Sequence, residues 1–116
     1  MIRAALDHVT GLLADAGIAA TTDARNITAP GCFVTVTNID DLTLDGSGRV
    51  TGEILAIVRD LGGDADIDNL SMLLDDVLDA VANSVVAIRD IDTAQQATPP
   101  SGGKLPAIRF TYTLYL

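Results

Sequence analysis

The stretch that decides the fold is the last twelve residues of the sequence, LPAIRFTYTLYL at positions 105–116. Apolar and polar side chains alternate along it, a period of two that is typical of a β-strand with one buried face. At about 3.3 Å per residue such a strand runs roughly 35–40 Å, which is about the diameter of a compact domain of this size. Its apolar face therefore needs a cover, supplied either by a helix of the same chain or by another subunit.

The composition favours one domain that associates with other chains. The sequence has 116 residues, of which 48% are hydrophobic, and we predict a single domain over residues 1–116. The longest apolar run, residues 54–58, is far shorter than the roughly 20 residues that span a bilayer. The surplus apolar surface therefore points to a partner subunit and not to a membrane. Charged residues interrupt positions 1–17, which excludes a secretory signal there, so we expect the protein to act inside a cell or in a particle assembled there.

The charge is strongly acidic. Sixteen acidic residues stand against seven basic ones, for a formal net charge of −9. The basic residues are scattered singly along the chain, whereas phosphate backbones are held by clusters of Lys and Arg. We therefore expect no specific nucleic-acid binding. The single cysteine, Cys32, excludes an intrachain disulfide and a multi-cysteine metal site.

Hydrophobic periodicity predicts the order of the elements. Apolar residues at helical spacing, with Gly17 as a terminator, indicate a first helix, and a similar stripe from Ile67 to Val81 indicates a second. We predict helices over 2–16 and 67–82 and strands over 32–39, 42–44, 50–59, 84–92 and 105–116. The fold class is therefore α+β, in the order α-β-β-β-α-β-β, with a mixed or antiparallel sheet of four to five strands and two helices on one face.

Few residues could carry chemistry. His8 lies off the apolar stripe of the first helix and is the only histidine, so we place it at the surface. Cys32 has no neighbouring base to activate it, and we interpret it as a small core residue. The DGSG sequence at positions 45–48 lacks the Gly-Lys-Ser/Thr ending and the following helix of a phosphate-binding loop. We predict no catalytic or cofactor-binding residues, and no enzymatic activity.

A calcium site is the other possibility to weigh. Asp64, Asp66 and Asp68 have the spacing that opens an EF-hand loop, but Asn69 stands where that loop needs glycine and Asp75 where it needs glutamate. A helix N-cap formed by Asp64 or Asp66 explains the cluster without a metal. We therefore predict no metal site, and interpret the second helix as having a solvated acidic face.

Several features together resemble the tail terminators, or tail-completion proteins, of long-tailed bacteriophages. They are the opening helix, the PGCFVTV entry to a strand at 30–36, the hairpin loop at 45–49, the acidic second helix and the aromatic FTYTLY strand at 110–115. The resemblance covers nearly the whole chain. It implies a virion structural protein, assembled in the host cytoplasm, whose homohexameric ring caps the tail tube, stops its polymerisation and joins the tail to the head connector.

Physical arguments supply the candidate interface residues. The terminal strand could pair or pack across a ring seam. Two loops could reach the rings above and below: the hairpin loop at 45–49, and the tip at 99–104 of a second loop over 93–104, which we expect to be exposed and mobile. The residues concerned are Asp45, Gly46, Ser47, Gly48, Arg49, Lys104, Arg109, Phe110, Tyr112 and Tyr115. The expected partners are further copies of the chain, a tail-tube protein and a head–tail connector protein, and aspartates in the ring lumen would repel passing DNA.

Other functions remain open at this stage. A small regulatory or ligand-binding α+β module would need a pocket with convergent polar groups. An acidic inhibitor or nucleic-acid mimic would use the aspartates of the second helix. Another neck protein or a tail-tube subunit would share most of the features named above.

Overall fold

The computed structural model describes residues 1–100 and 102–116. Two helices and five strands follow one another in the chain, with a short 3₁₀ turn at Ala24–Asn26. The bounds are α1 Ile2–Asp15, β1 Ala20–Thr21, β2 Gly31–Asp40, β3 Arg49–Ile57, α2 Gly63–Val81, β4 Ala87–Ala97 and β5 Leu105–Tyr115. The predicted α+β class and element order are confirmed.

The five strands form one mixed sheet in the order β1-β2-β3-β5-β4. β1 runs parallel to β2, and the other neighbours are antiparallel. Asp40 pairs with Arg49 at one end of the sheet, and Gly31 pairs with Ile57 at the other. The long strands β2, β3 and β5 lie side by side, so the sheet has two well-separated ends. The molecule measures 50 × 28 × 24 Å.

Both helices cover the same face of the sheet. The inward side chains of β5 (Ile108, Phe110, Tyr112 and Leu114) are buried in one core with Val9 of α1 and Val77 of α2. The sequence left two possible partners for this apolar face, a helix of the same chain or another subunit. In the structure, the two helices of the same chain cover it. The terminal strand therefore does not need another subunit to shelter it.

The start of the chain folds much as predicted. α1 buries Leu6, Val9 and Leu13, and Gly17 follows it with a φ of 80°. The N–H of Ile18 donates to the carbonyl of Leu13 at 2.9 Å, a bond that closes the helix end when the preceding residue is left-handed.

The second helix begins earlier than predicted, and its buried stripe begins later. It starts at Gly63, and the side chain of Asp66 accepts a hydrogen bond from the N–H of Leu61 at 2.8 Å. No side chain forms the predicted N-cap, which falls on Gly62. Leu73 is buried with Val77 and Val81, while Ile67 is 63% exposed. The predicted stripe was therefore wrong at its first position, because the helix docks through its C-terminal two-thirds.

Two strand predictions were wrong in position. Residues 42–44 are not a strand, since β2 itself continues to Asp40 and pairs directly with β3. β4 begins and ends later than the predicted 84–92. A two-residue strand, β1, was not predicted. Residues 54–57 lie in the central strand β3, and Ile57 forms a second small apolar cluster with Ala97 and Ala107.

A close contact fixes the middle of the sheet. Tyr112 is fully buried and lies over Gly52, and its hydroxyl donates a hydrogen bond to the carbonyl oxygen of Thr35 at 2.8 Å. A Cβ atom at position 52 would lie 2.6 Å from Cζ of Tyr112 and would also overlap the Thr35 carbonyl oxygen. Only glycine therefore allows this ring to cross β3 and tie β5 to β2.

We predict that Gly52→Ala destabilises the protein by about 3 kcal/mol, because the added methyl group must displace both the ring and a backbone oxygen. Gly11→Ala is the matched control: its Cβ meets nothing within 4 Å, and alanine at an exposed helix position should stabilise by about 0.5–1 kcal/mol. Urea unfolding of both variants measures the difference. Equal stability of the two variants would contradict the proposed contact.

Candidate interaction surfaces

The predicted interface residues of the terminal strand divide between core and surface. Phe110 and Tyr112 are fully buried within the chain, so the prediction that they lie at a subunit interface is wrong for this conformation. Pairing of β5 across a seam is also excluded, because β3 and β4 already occupy both of its edges. Tyr115 is 60% exposed and remains available for contact.

Arg109 lies on the face of the sheet that the helices leave uncovered. Its guanidinium contacts carboxylates of two neighbouring strands, Glu53 at 3.5 Å and Asp92 at 3.3 Å. Asp92 also accepts hydrogen bonds from the N–H of Ala94 and the side chain of Gln95. These bonds lower the pKa of Asp92, and the bond from Ala94 has the largest effect. Arg109 therefore serves a network within its own sheet.

The connection between β2 and β3, residues 41–48, is an internally hydrogen-bonded loop. The N–H of Thr43 donates to the carbonyl of Ser47 at 2.9 Å, and the N–H of Gly46 donates to the carbonyl of Thr43 at 3.1 Å. The carboxylate of Asp45 accepts hydrogen bonds from the hydroxyl of Thr43 and the N–H of Ser47. We call this segment the β2–β3 loop. Three of the predicted interface residues (Asp45, Gly46 and Ser47) form its turn.

The base of the β2–β3 loop is tied to the sheet. Arg49 forms a two-pronged ion pair with Asp40, at 2.8 and 2.6 Å, and a second contact with Asp41 at 3.7 Å. Gly48 exchanges two backbone hydrogen bonds of 3.0 Å with Leu116. The loop is therefore held in a defined shape at the end of the sheet.

This shape leaves two leucine side chains in solvent. Leu42 is 68% exposed and Leu44 is completely exposed, at 110% of its reference area. Burying a leucine is worth about 1.5–3 kcal/mol relative to leaving it in water. Two exposed leucines on an ordered loop therefore favour contact with an apolar surface.

An apolar groove lies at the opposite end of the sheet. It has a volume of about 600 Å³ and is open to solvent between the end of α1, the start of β2 and the side of α2. Its apolar lining comprises Ile18, Pro30, Val58, Leu61, Met72 and Leu73, with Arg59, Asn69 and Asp76 as the polar lining residues. We call this the end groove. Leu61 and Met72 are each 65% exposed.

The second loop that we predicted to protrude lies at the same end of the sheet as the end groove. It connects β4 to β5 over residues 98–104, shorter than the predicted 93–104. Pro99 is buried, whereas Pro100 and Lys104 are exposed. Ser101, part of the predicted mobile tip, lies outside the described residues. Lys104 therefore points away from the β2–β3 loop, and the two predicted protrusions lie at opposite ends.

The free edge of β4 is irregular. This edge has no strand partner in the described part of the chain, and the pairing of β4 with β5 shifts register between Ile88 and Asp90 and again between Asp92 and Gln95. Such bulges twist an edge and hinder the addition of another strand. The β4 edge is therefore a poorer docking surface than the β2–β3 loop and the end groove.

Residues considered for chemistry occupy ordinary structural positions. His8 is exposed, and Asp75 and Asp76 lie on the exposed face of α2. Cys32 is buried, and burial raises the pKa of its thiol to about 12. Within residues 1–100 and 102–116, no three His, Cys, Asp or Glu side chains come close enough to hold a metal ion. Neither helix of that part is long and apolar enough to cross a membrane.

Comparison with known proteins adds no relative. No family model matches the sequence, and no curated protein matches it. The two end surfaces described above are therefore the features that bear on function. Residues 45–49 were predicted to reach a partner, but Leu42 and Leu44 were assigned to a strand because they alternate as a strand would. The end groove was not predicted, because its residues lie far apart in the chain.

We predict that Asp45 titrates with a pKa of about 2, below its ordinary value of 3.8, because the Thr43 hydroxyl and then the Ser47 N–H bind its charged form. A lowered pKa means that these bonds stabilise the folded loop above pH 3.8 and are lost as the pH falls towards 2. Carboxyl-carbon NMR measures this pKa. Thr43→Val should raise it, and an unchanged value in that variant would contradict the assigned cause.

Proposed function

We propose that the chain is a structural assembly subunit of the kind found in phage tails, acting as a tail terminator. The observation that carries the proposal is the placement of an exposed apolar loop and an apolar groove at opposite ends of one elongated molecule. Two different surfaces that can bind one another are what a head-to-tail ring requires of each subunit. The element order resembles that of tail terminators and supports the same proposal.

The proposed role follows from this geometry and from the charge. Six copies would form a ring that caps the tail tube, stops its growth and meets the head connector on its other side. Contacts with these partners would use the surfaces that the ring leaves free, including Tyr115 and the segment around Lys104. With a formal net charge of −9, such a ring would let DNA pass without holding its phosphates.

Native mass spectrometry tests the assembly directly. We expect a species of six copies of the 12.0 kDa chain at micromolar concentration, and ring-shaped particles in electron micrographs. A protein that stays monomeric at high concentration would contradict the proposal.

Tail length tests the specific role. In a phage that encodes this chain, deleting its gene should give tails of uncontrolled length, since nothing stops tube polymerisation, and supplying the gene in trans should restore one length. Tails of normal length that fail to join heads would instead assign the chain to the neck. Loss of the tube itself would indicate a tail-tube subunit.

The end groove also supports a second candidate, a ligand-binding module. Its volume of about 600 Å³ falls within the range of small-molecule sites, and Arg59, Asn69 and Asp76 could orient a ligand. This alternative predicts a monomer whose melting temperature rises with a bound small molecule. The tail-terminator proposal predicts that assembly, and not a small ligand, covers the groove.

A further inference from the structure

We propose that the β2–β3 loop of one copy docks into the end groove of a second copy, with Leu42 and Leu44 as the inserted side chains. The inference rests on the proposed assembly role and deepens it, since it names the contact that joins neighbouring subunits. It replaces the terminal strand, whose apolar face is already buried, as the site of association.

The loop is suited to insertion because it is ordered before it meets a partner. The hydrogen bonds of Thr43, Asp45 and Ser47 set its turn, and the Arg49–Asp40 ion pair fixes its base. Little conformational freedom would then be lost on docking, which is a main cost of association. Leu44, with its side chain entirely in solvent, is the natural anchor.

The end groove has the matching chemistry. Its volume of about 600 Å³ exceeds what two leucine side chains need, since pockets of 300–1,000 Å³ hold whole drug-sized ligands. Its exposed apolar side chains, Leu61 and Met72, are the ones a docked loop would cover. Met72 is also flexible enough to adapt its shape to an incoming side chain.

The two surfaces of one molecule cannot meet each other. They lie beyond opposite ends of β3, whose nine residues separate them by roughly 25–30 Å at 3.3 Å per residue. A β2–β3 loop that docks in the end groove must therefore come from another copy. A contact between two different patches repeats from copy to copy, and it closes into a ring when the rotation between copies permits.

Charge does not oppose this docking. The loop carries Asp41 and Asp45, and the groove lining carries one base, Arg59, and one acid, Asp76. The guanidinium of Arg59 donates to the carbonyl of Ala29 at 3.2 Å and makes no ion pair with the described residues. Arg59 is therefore available to an acidic loop, while the leucines supply most of the attraction.

The test uses two variants that should each fail to self-associate. Leu42→Ser with Leu44→Ser removes the loop's apolar side chains and keeps the groove. Leu61→Glu with Met72→Glu blocks the groove and keeps the loop. Sedimentation velocity should give a monomer for each, with association at least ~10-fold weaker than for the wild-type chain. A mixture of the two variants should form a 1:1 dimer, because one intact loop then meets one intact groove.

Matched controls are Val85→Ser and Ile67→Glu. Each alters a side chain that is 63% exposed and belongs neither to the β2–β3 loop nor to the lining of the end groove, so both variants should assemble as the wild-type chain does. Circular dichroism and thermal melting verify that all variants fold. Assembly that persists in both double variants would overturn the docking while leaving the assembly role intact. Two monomeric variants that give no dimer on mixing would also overturn it. A wild-type chain that never associates would overturn both proposals.

Discussion

The burial of one face of β5 beneath both helices is the interaction on which the rest of the structure depends. β5 lies between β3 and β4, so both of its edges are occupied, and its four inward apolar side chains form the centre of the core. The ring of Tyr112 also lies over Gly52, and its hydroxyl donates a hydrogen bond to the backbone of β2. Because the strand is enclosed on both edges and on its apolar face, association through it would require the chain to unfold.

That enclosure decides where a partner can bind. The outer face of the sheet carries the ion pairs of Arg109 and the small apolar cluster of Ile57, Ala97 and Ala107, and the edge strand β4 is bulged. The exposed apolar groups that remain include the leucines of the β2–β3 loop at one end and the end groove at the other. The proposed assembly through the ends is compatible with the packing that removes β5 from the surface.

Periodicity in the sequence predicted those elements whose apolar residues recur regularly along one buried face. β5 alternates over its whole length, and α1 combines a helical stripe with a terminating glycine, so local pattern and final packing agree. α2 was placed less well, because Ile67 continues its apolar period yet lies where the helix has left the sheet. β1 could not be predicted, since two residues carry no period and pair only through tertiary contact with Cys32 and Phe33.

The candidate surfaces were harder to predict than the fold. The alternation at residues 42–44 indicated a strand, although the hydrogen bonds of Thr43, Asp45 and Ser47 turn this segment into a loop with its leucines outside. The end groove joins residues from the segments that follow α1 and β3, from the start of β2 and from α2, and no local sequence pattern predicts such a groove. Asp45, Gly46, Ser47 and Gly48 were named as interface candidates for their reach, but the adjacent leucines carry the apolar surface.

Hydrogen–deuterium exchange of the wild-type chain, compared between dilute and concentrated solution, tests the central claim most directly. The account predicts that residues 41–48 and the groove segments around 58–61 and 72–73 become protected on concentration, while β5 is strongly protected at both concentrations. Protection gained along β4 or β5, with both ends of the molecule unchanged, would contradict it.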